Sequence, residues 1–109
     1  MPDSGRLSEQ TLQEIVRRIV RVASPDKIIV FGSAARREMG PDSDVDVLVV
    51  KRGEFHQGRL TGDIYMSLIG VGQAVDLIVA TPEEVERARH CPGLVVSSIL
   101  GEGRVIYGE

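Results

Sequence analysis

An α/β architecture, with helices packed on a small mixed β-sheet, is what this 109-residue sequence predicts. Three observations carry it. Leu12, Ile15, Val16, Ile19, Val20 and Ala23 recur at helical spacing. Residues 28–31 and 45–50 are short apolar runs, rich in Val and Ile and bounded by glycine, proline and polar residues. A third such run, 74–80, follows a segment with helical period. The predicted order is helix, strand, helix, strand, helix, strand, one or two further helices and a last edge strand. Composition alone does not set the order of strands within the sheet.

Residues 1–6 are polar and read as a frayed end of one compact domain spanning 1–109. Ser8 fits an N-cap, with Leu7 and Leu12 as a hydrophobic staple and Glu9 in the first turn. Arg17, Arg18 and Arg21 lie towards the other end, where cations favour the helix dipole. They read as a solvated face; the alternative is a basic ledge for an acceptor or RNA. Ser24-Pro25-Asp26 breaks the helix ahead of the first strand. That strand stops at Gly32-Ser33, where glycine permits a sharp turn and Ser33 can cap a short helix over 34–39. Gly40-Pro41 ends this helix and returns the chain to the strand that Asp44 and Asp46 open.

After that strand the stretch 51–54 is polar, and Leu60, Ile64, Leu68 and Val71 predict a helix with Gly62 and Gly70 as weak points. His56 reads as a surface residue, since no second His or Cys stands near it at metal spacing. Tyr65 and Met66 read as packing residues. Thr81-Pro82-Glu83-Glu84 announces a further helix, with Thr81 as N-cap, Pro in the first turn and Glu at the capping-box position. Val85 and Ala88 can face the core while Glu86, Arg87 and Arg89 face water. The Cys91-Pro92-Gly93 break ends it; Leu94, Val95, Ile99 and Leu100 give a short second helix, and 103–107 a final edge strand. His90 and Cys91 are adjacent, but two ligands do not make a zinc site.

Composition narrows the classes of function. With 42% hydrophobic residues the chain can build a core, and no room is expected for a second domain. The net charge is −3; leaving aside Asp44, Asp46 and Asp76, basic and acidic residues balance at 13 each. A duplex-coating nucleic-acid binder would be basic with a clustered patch, so none is expected. A lone cysteine excludes an internal disulfide and suits a reducing compartment. Neither a signal peptide nor a run of the ~20 apolar residues needed to cross a bilayer is present, and the cytoplasm is the expected location.

The chemistry concentrates in residues 31–50. Strand side chains alternate faces, so Asp44 and Asp46 point the same way, among neighbours that are almost all apolar. Ionised carboxylates in such surroundings cost several kcal/mol unless a cation or hydrogen bonds compensate. Their Cα atoms should stand roughly 6.6 Å apart, and two such groups can lean towards a metal pair about 3.5–4 Å apart. All-oxygen ligands favour Mg²⁺ or Mn²⁺ over zinc. An Asp-x-Asp triplet alone is expected about 0.4 times by chance in a chain this long, but one preceded by Gly-Ser at a fixed spacing only ~0.002 times. Free N–H groups at a helix start after Gly32-Ser33 would attract phosphate. It is not a Walker loop, because the G-x-x-x-x-G-K-[ST] spacing is absent. Asp76 also has apolar neighbours on both sides, and the same desolvation argument applies to it.

Gly32-Ser33, ten residues, then Asp44-Val45-Asp46 resembles the signature of the polymerase-beta-type nucleotidyltransferase superfamily. The short chain and the Ala35-Arg36 and Ser43-Asp44 pairs make it most similar to the minimal nucleotidyltransferases (MNT), antitoxin partners of HEPN toxins. The resemblance covers most of 28–107 but is motif-specific only at 32–46 and Asp76. It implies the nucleotidyltransferase fold. It also implies a Gly-Ser turn that binds nucleotide phosphates, with Gly32, Ser33, Arg36 and Ser43 as nucleotide-binding residues. Asp44, Asp46 and Asp76 would be the catalytic ligands of two Mg²⁺ ions, or Mn²⁺, and Asp76 could assist deprotonation of the attacking hydroxyl. One departure stands out: the family often has Gly after the motif arginine, and this chain has Arg37. Every ligand type is nonetheless in place.

By the same resemblance the donor is ATP and the acceptor a tyrosine hydroxyl on a HEPN ribonuclease toxin, which adenylylation would neutralise. So short a chain leaves acceptor recognition to a homo- or hetero-oligomer. Two other functions fit the residues: a noncatalytic antitoxin that masks the toxin by contact, to which Arg37 is the only pointer, and a small-molecule nucleotidyltransferase of the antibiotic-modifying type. The last is disfavoured because those enzymes carry extra substrate-binding sequence.

Overall fold

In the computed structural model, residues 9–31, 45–90 and 103–108 are described. Helix α1 spans Glu9–Ala23, strand β1 Lys27–Phe31, β2 Val45–Val50, helix α2 Gln57–Ser67, β3 Val75–Ala80, α3 Pro82–Arg89 and β4 Arg104–Gly108. The strands form one mixed sheet in the order β3-β2-β1-β4. β1 runs antiparallel to both β2 and β4, and β2 runs parallel to β3. A parallel pair needs a crossover, which α2 supplies. The architecture predicted from sequence is the one observed. The frayed start, the Ser8 cap with its Leu7 staple, the short helices at 34–39 and 94–100 and the break at Cys91 lie outside the described residues.

β2 is apolar almost throughout because both of its faces are covered. Val45, Val47, Leu48 and Val49 have no exposed surface. On one face Val45, Val47 and Val49 join Ile28 and Val30 of β1 beneath Leu12, Ile15 and Ile19 of α1 and Ile64 of α2. On the other, Leu48 and Val50 join Ile29 and Ala80, with Phe31, Ile78 and Val85 of α3 against them. The two-residue alternation of strands sorts these sets. At the end of β4 only glycine fits: Gly108 has φ +82, and a Cβ there would lie 2.1 Å from the Asp26 carbonyl oxygen. Among the described residues no helix is long and apolar enough to cross a membrane.

The arginines of α1 do not form the simple solvated face expected of them. Arg17 is exposed and pairs with Glu14, but Arg18 is half-buried. Its guanidinium donates to Glu14 Oε2 at 2.7 Å and to the carbonyls of Ser67 and Ile69 at 3.2 and 3.0 Å. It therefore ties α1 to the C-terminal end of α2, whose last carbonyls lack helical partners. Hydrogen bonds from Arg17 and then Arg18 hold the Glu14 carboxyl down at about 2, against an ordinary 4.5. Because the folded value is the lower one, the linked stabilisation is complete above pH 4.5 and is lost as pH falls towards 2. Acid titration of Glu14→Gln beside the parent, followed by circular dichroism, should show a shallower loss of stability in the variant across that window.

α2 matches the predicted helix as far as Ser67; Leu68 is its C-cap, and Gly70, at φ +85, and Val71 lie beyond its end, so the prediction ran one turn too long. Two further features affect its stability. His56 is its N-cap: Nδ1 accepts from the Arg59 backbone N–H at 3.0 Å. That role was not read from the sequence, since N-caps are mostly Ser, Thr, Asp or Asn. Gly62, predicted to be a weak point, sits inside the helix, and a Cβ added there meets nothing within 4 Å. Gly62→Ala should therefore stabilise the molecule by about 0.5–1 kcal/mol, read as a higher urea midpoint at unchanged slope.

Candidate active site

Asp46 and Asp76 are register partners across the parallel pair β2 and β3. Neighbouring strands lie about 4.8 Å apart, and in-register side chains project from the same face, so the two carboxylates stand side by side. Their face is the one that carries Leu48, Val50, Ile78 and Ala80. Phe31, the last residue of β1, is the antiparallel partner of Asp46, and β2 begins one residue before it. β1 ends at Phe31 and β2 begins at Val45, both beside Asp46. Gly32, Ser33, Arg36, Ser43 and Asp44 fall between those points and lie outside the described residues. The structure brings together two of the predicted carboxylates. Among the described residues, no three His, Cys, Asp or Glu side chains come close enough to hold a metal.

Asp76 is not desolvated, contrary to what its apolar flanks predict. Asp46 is half-buried, but Asp76 is exposed. The reason is strand order: β3 is the outer strand next to β2. Val85 of α3 packs on this face where Val50 and Ala80 stand, at the opposite end of the strands from the carboxylates. An apolar flanking sequence reports burial only when the strand has neighbours on both sides. Asp76 therefore does not need a counter-charge for folding. Two like charges in register repel one another, and a cation bound between them would favour both carboxylates.

The outer edge of β3 is closed by side chains from α2. Because residues of a strand alternate between its two neighbours, and Ala74 and Ala80 carbonyls accept from β2 and the residue that follows it, Leu77 and Val79 face outward. The Leu77 N–H donates to Tyr65 Oη at 2.9 Å. The Val79 carbonyl accepts from Gln57 Nε2 at 3.3 Å. Gln57 also donates to Glu84 Oε1 at 2.7 Å, and Glu84 completes the capping box predicted at Thr81. The Thr81 backbone N–H, then Gln57 and the Thr81 hydroxyl, hold the Glu84 carboxyl below the usual carboxylate range. Sequence reading treated Tyr65 as a packing residue and passed over Gln57. No periodic pattern could reveal them, because their partners are backbone groups of a strand whose place at the sheet edge is a property of the whole fold.

A concavity of about 490 Å³ lies elsewhere, between α1 and β4. Leu12, Val16, Val20, Ile106 and Tyr107 line it, and neither carboxylate does. Its walls are those of an inter-element groove, without the paired acids that a hard cation needs.

Comparison with known proteins bears on the family and the fold. The family profile of the nucleotidyltransferase domain matches residues 10–106. No curated protein matches the chain. A solved structure from Sulfolobus solfataricus, described as that of a nucleotidyltransferase, is 20% identical at a TM-score of 0.55, over 94% of this chain and 91% of the other. A toxin–antitoxin structure with AMP-PNP is 18% identical over 94% of this chain and 75% of the other, at a TM-score of 0.58. A structure of tri-AMPylated Shewanella oneidensis HEPN toxin in complex with MNT antitoxin gives 15% identity over 91% and 73%, at a TM-score of 0.51. At such identities the likeness is one of fold.

Proposed function

The chain belongs to the nucleotidyltransferase domain family, and from that premise we propose that it is a Mg²⁺-dependent nucleotidyltransferase that moves AMP from ATP to a hydroxyl of a protein partner. The observation that carries the reading is the in-register pairing of Asp46 with Asp76, on one face, beside the end of β1 and the start of β2. Two side-by-side carboxylates are an oxygen-only donor set, which suits Mg²⁺ or Mn²⁺. Asp44, Asp46 and Asp76 would hold the metal. Bound there, it would stabilise the entering and leaving oxygens of an in-line displacement.

The chain's own groups do the rest. Gly32, Ser33 and Ser43 bind the nucleotide, with Ser33 on its terminal phosphates, and Arg36 offsets their charge. The acceptor oxygen bonds to the α-phosphorus, the bond from that phosphorus to the bridging oxygen breaks, and pyrophosphate leaves. Asp76 takes the acceptor's proton in this reading, which its exposure on the outer strand supports.

For the acceptor, a tyrosine of a HEPN-type toxin is the reading we favour, supported by fold neighbours whose structures join an MNT antitoxin to an AMPylated HEPN toxin. The protein then acts in the cytoplasm as an antitoxin, in a hetero-oligomer with its target. Intact mass spectrometry of a HEPN toxin, incubated with this protein, Mg²⁺ and each nucleoside triphosphate in turn, tests it. A gain of whole AMP units with ATP, abolished by EDTA, is the expected result. A tight but unmodified complex would overturn transfer and leave masking by contact, the reading to which Arg37 points.

A further inference from the structure

The sheet's two edges are finished differently. Side chains of α2 close the outer edge of β3, whereas β4 ends the other side with Val105 and Tyr107 exposed. Alongside β4 runs the groove of about 490 Å³ whose second wall is the flank of α1. Leu12, Val16 and Val20 follow one another at single turns along that flank, an apolar row about 12 Å long. Ile106 stands on the opposite wall. A trough of that length between a helix and an outer strand fits an extended chain. The register of β4 with β1 skips Ile106, and such a bulge blunts an edge for main-chain pairing. Recognition there falls to side chains.

Arg104 supplies the charge. It is half-buried at the start of β4, on the wall of the same groove. Its Nε is cut off from water and, among the described residues, has no hydrogen-bond partner. Glu9, the acid on the groove's wall, is exposed and makes no ion pair with it. Arg17, the other cation there, is already paired with Glu14. A cation's N–H buried without a partner is costly, and a carboxylate matches a guanidinium through two parallel hydrogen bonds. Water screens the exposed Glu9 more than it screens Arg104, so the groove favours an acid. Because Arg104 is half-buried and not sealed, an incoming acid can reach it.

We propose that the groove between α1 and β4 is a docking site for an extended segment of a partner protein. The segment carries one acidic residue, seated on Arg104, and aliphatic residues at alternate positions, seated on the row of Leu12, Val16 and Val20. Side chains two apart on an extended chain share a face, which gives that spacing. The groove and the paired acids Asp46 and Asp76 are on opposite faces of the sheet. Docking there is independent of the transfer reaction.

Two acetylated, amidated pentapeptides serve as probes, Asp-Ser-Leu-Ser-Leu and its reverse, because the groove's chemistry does not set the direction of the bound chain. Titrated into the isotope-labelled protein and followed by NMR, one of them should shift the amides of residues 104–107 with a Kd below about 1 mM. Asn in place of the peptide's Asp, or Arg104→Met in the protein, should each weaken binding about tenfold, and the two together no more than either alone. Arg104→Met keeps the aliphatic stem and removes the charge. A melting curve checks its fold, and the Asn peptide tests the same contact with the protein unchanged.

Losses that add independently would overturn the contact between the acid and Arg104. Equal binding of the Asp and Asn peptides would overturn it too, as would binding of neither probe. Acetate that binds as tightly as the peptide would overturn the docking of a chain and leave a simple anion site. Failure of both peptides in a chain that sediments as a dimer, broken by Val105→Lys, would give the face to a second copy instead.

Discussion

Asp46→Asn is expected to lower nucleotide transfer at least about 10³-fold while the molecule stays folded. Metal stabilisation of the charge that develops on the transferring phosphoryl group is worth several kcal/mol, and each 1.36 kcal/mol is a factor of ten. Asparagine matches aspartate in size, so the loss isolates the charge. Asp46 stands on the central strand, half-buried beside Phe31 and Asp76, and its substitution cannot be compensated by a shift of the backbone, which is packed on both faces. Asp76→Asn should also be severe, by ~10² or more, because it removes both a ligand and the proposed proton acceptor. Asp76→Asn should not lower the melting temperature by more than about 2 °C, since Asp76 is exposed. Transfer rates with labelled ATP, measured beside a melting curve, decide the matter. Full activity in Asp46→Asn would sink the proposed chemistry.

The largest effect expected on stability comes from Ile64→Ala. Ile64 is the only residue of α2 that is wholly buried, and it seats the helix among Ile28, Val47 and Ile15. Truncating an isoleucine in such a site costs about 2–5 kcal/mol, the transfer term plus the cavity left behind. For a domain whose total stability is of the order of 5–15 kcal/mol that is a large fraction. The melting temperature should fall by ~10 °C or more. Since Tyr65 and Gln57 ride on the same helix, exchange in β3 should rise in parallel. A loss below about 1 kcal/mol would mean that α2 is held chiefly by its polar contacts, Arg18 foremost.

Local signals were legible in the sequence, and long-range ones were not. The stripe of Leu12, Ile15, Ile19 and Ala23 became the buried face of α1, because helical period is written in adjacent turns. The Thr81 capping box is present with both of its hydrogen bonds, again a matter of four consecutive residues. The three apolar runs became β1, β2 and β3. Strand order, by contrast, depends on how distant segments pair, and the exposure of Asp76 follows from order alone. Arg18 shows the same limit: its partners at Ser67 and Ile69 are 49 and 51 residues away, and a run of arginines on a helix looks the same whether it meets water or another helix. For the site, the sequence named the carboxylates, and the fold supplied the fact that two of them, 30 residues apart, are opposite each other.

The two paired acids sit on elements of unequal permanence. Asp46 belongs to the strand with neighbours on both edges and cover on both faces, so it can be displaced only by events close to global unfolding. Asp76 belongs to a strand held on one edge by β2 and on the other by two side chains, and smaller, commoner openings reach it first. Warming therefore dismantles the pair from one side, with the outer acid departing while the inner one stays seated. On the proposed reading of the site, transfer activity is therefore lost at a lower temperature than the fold.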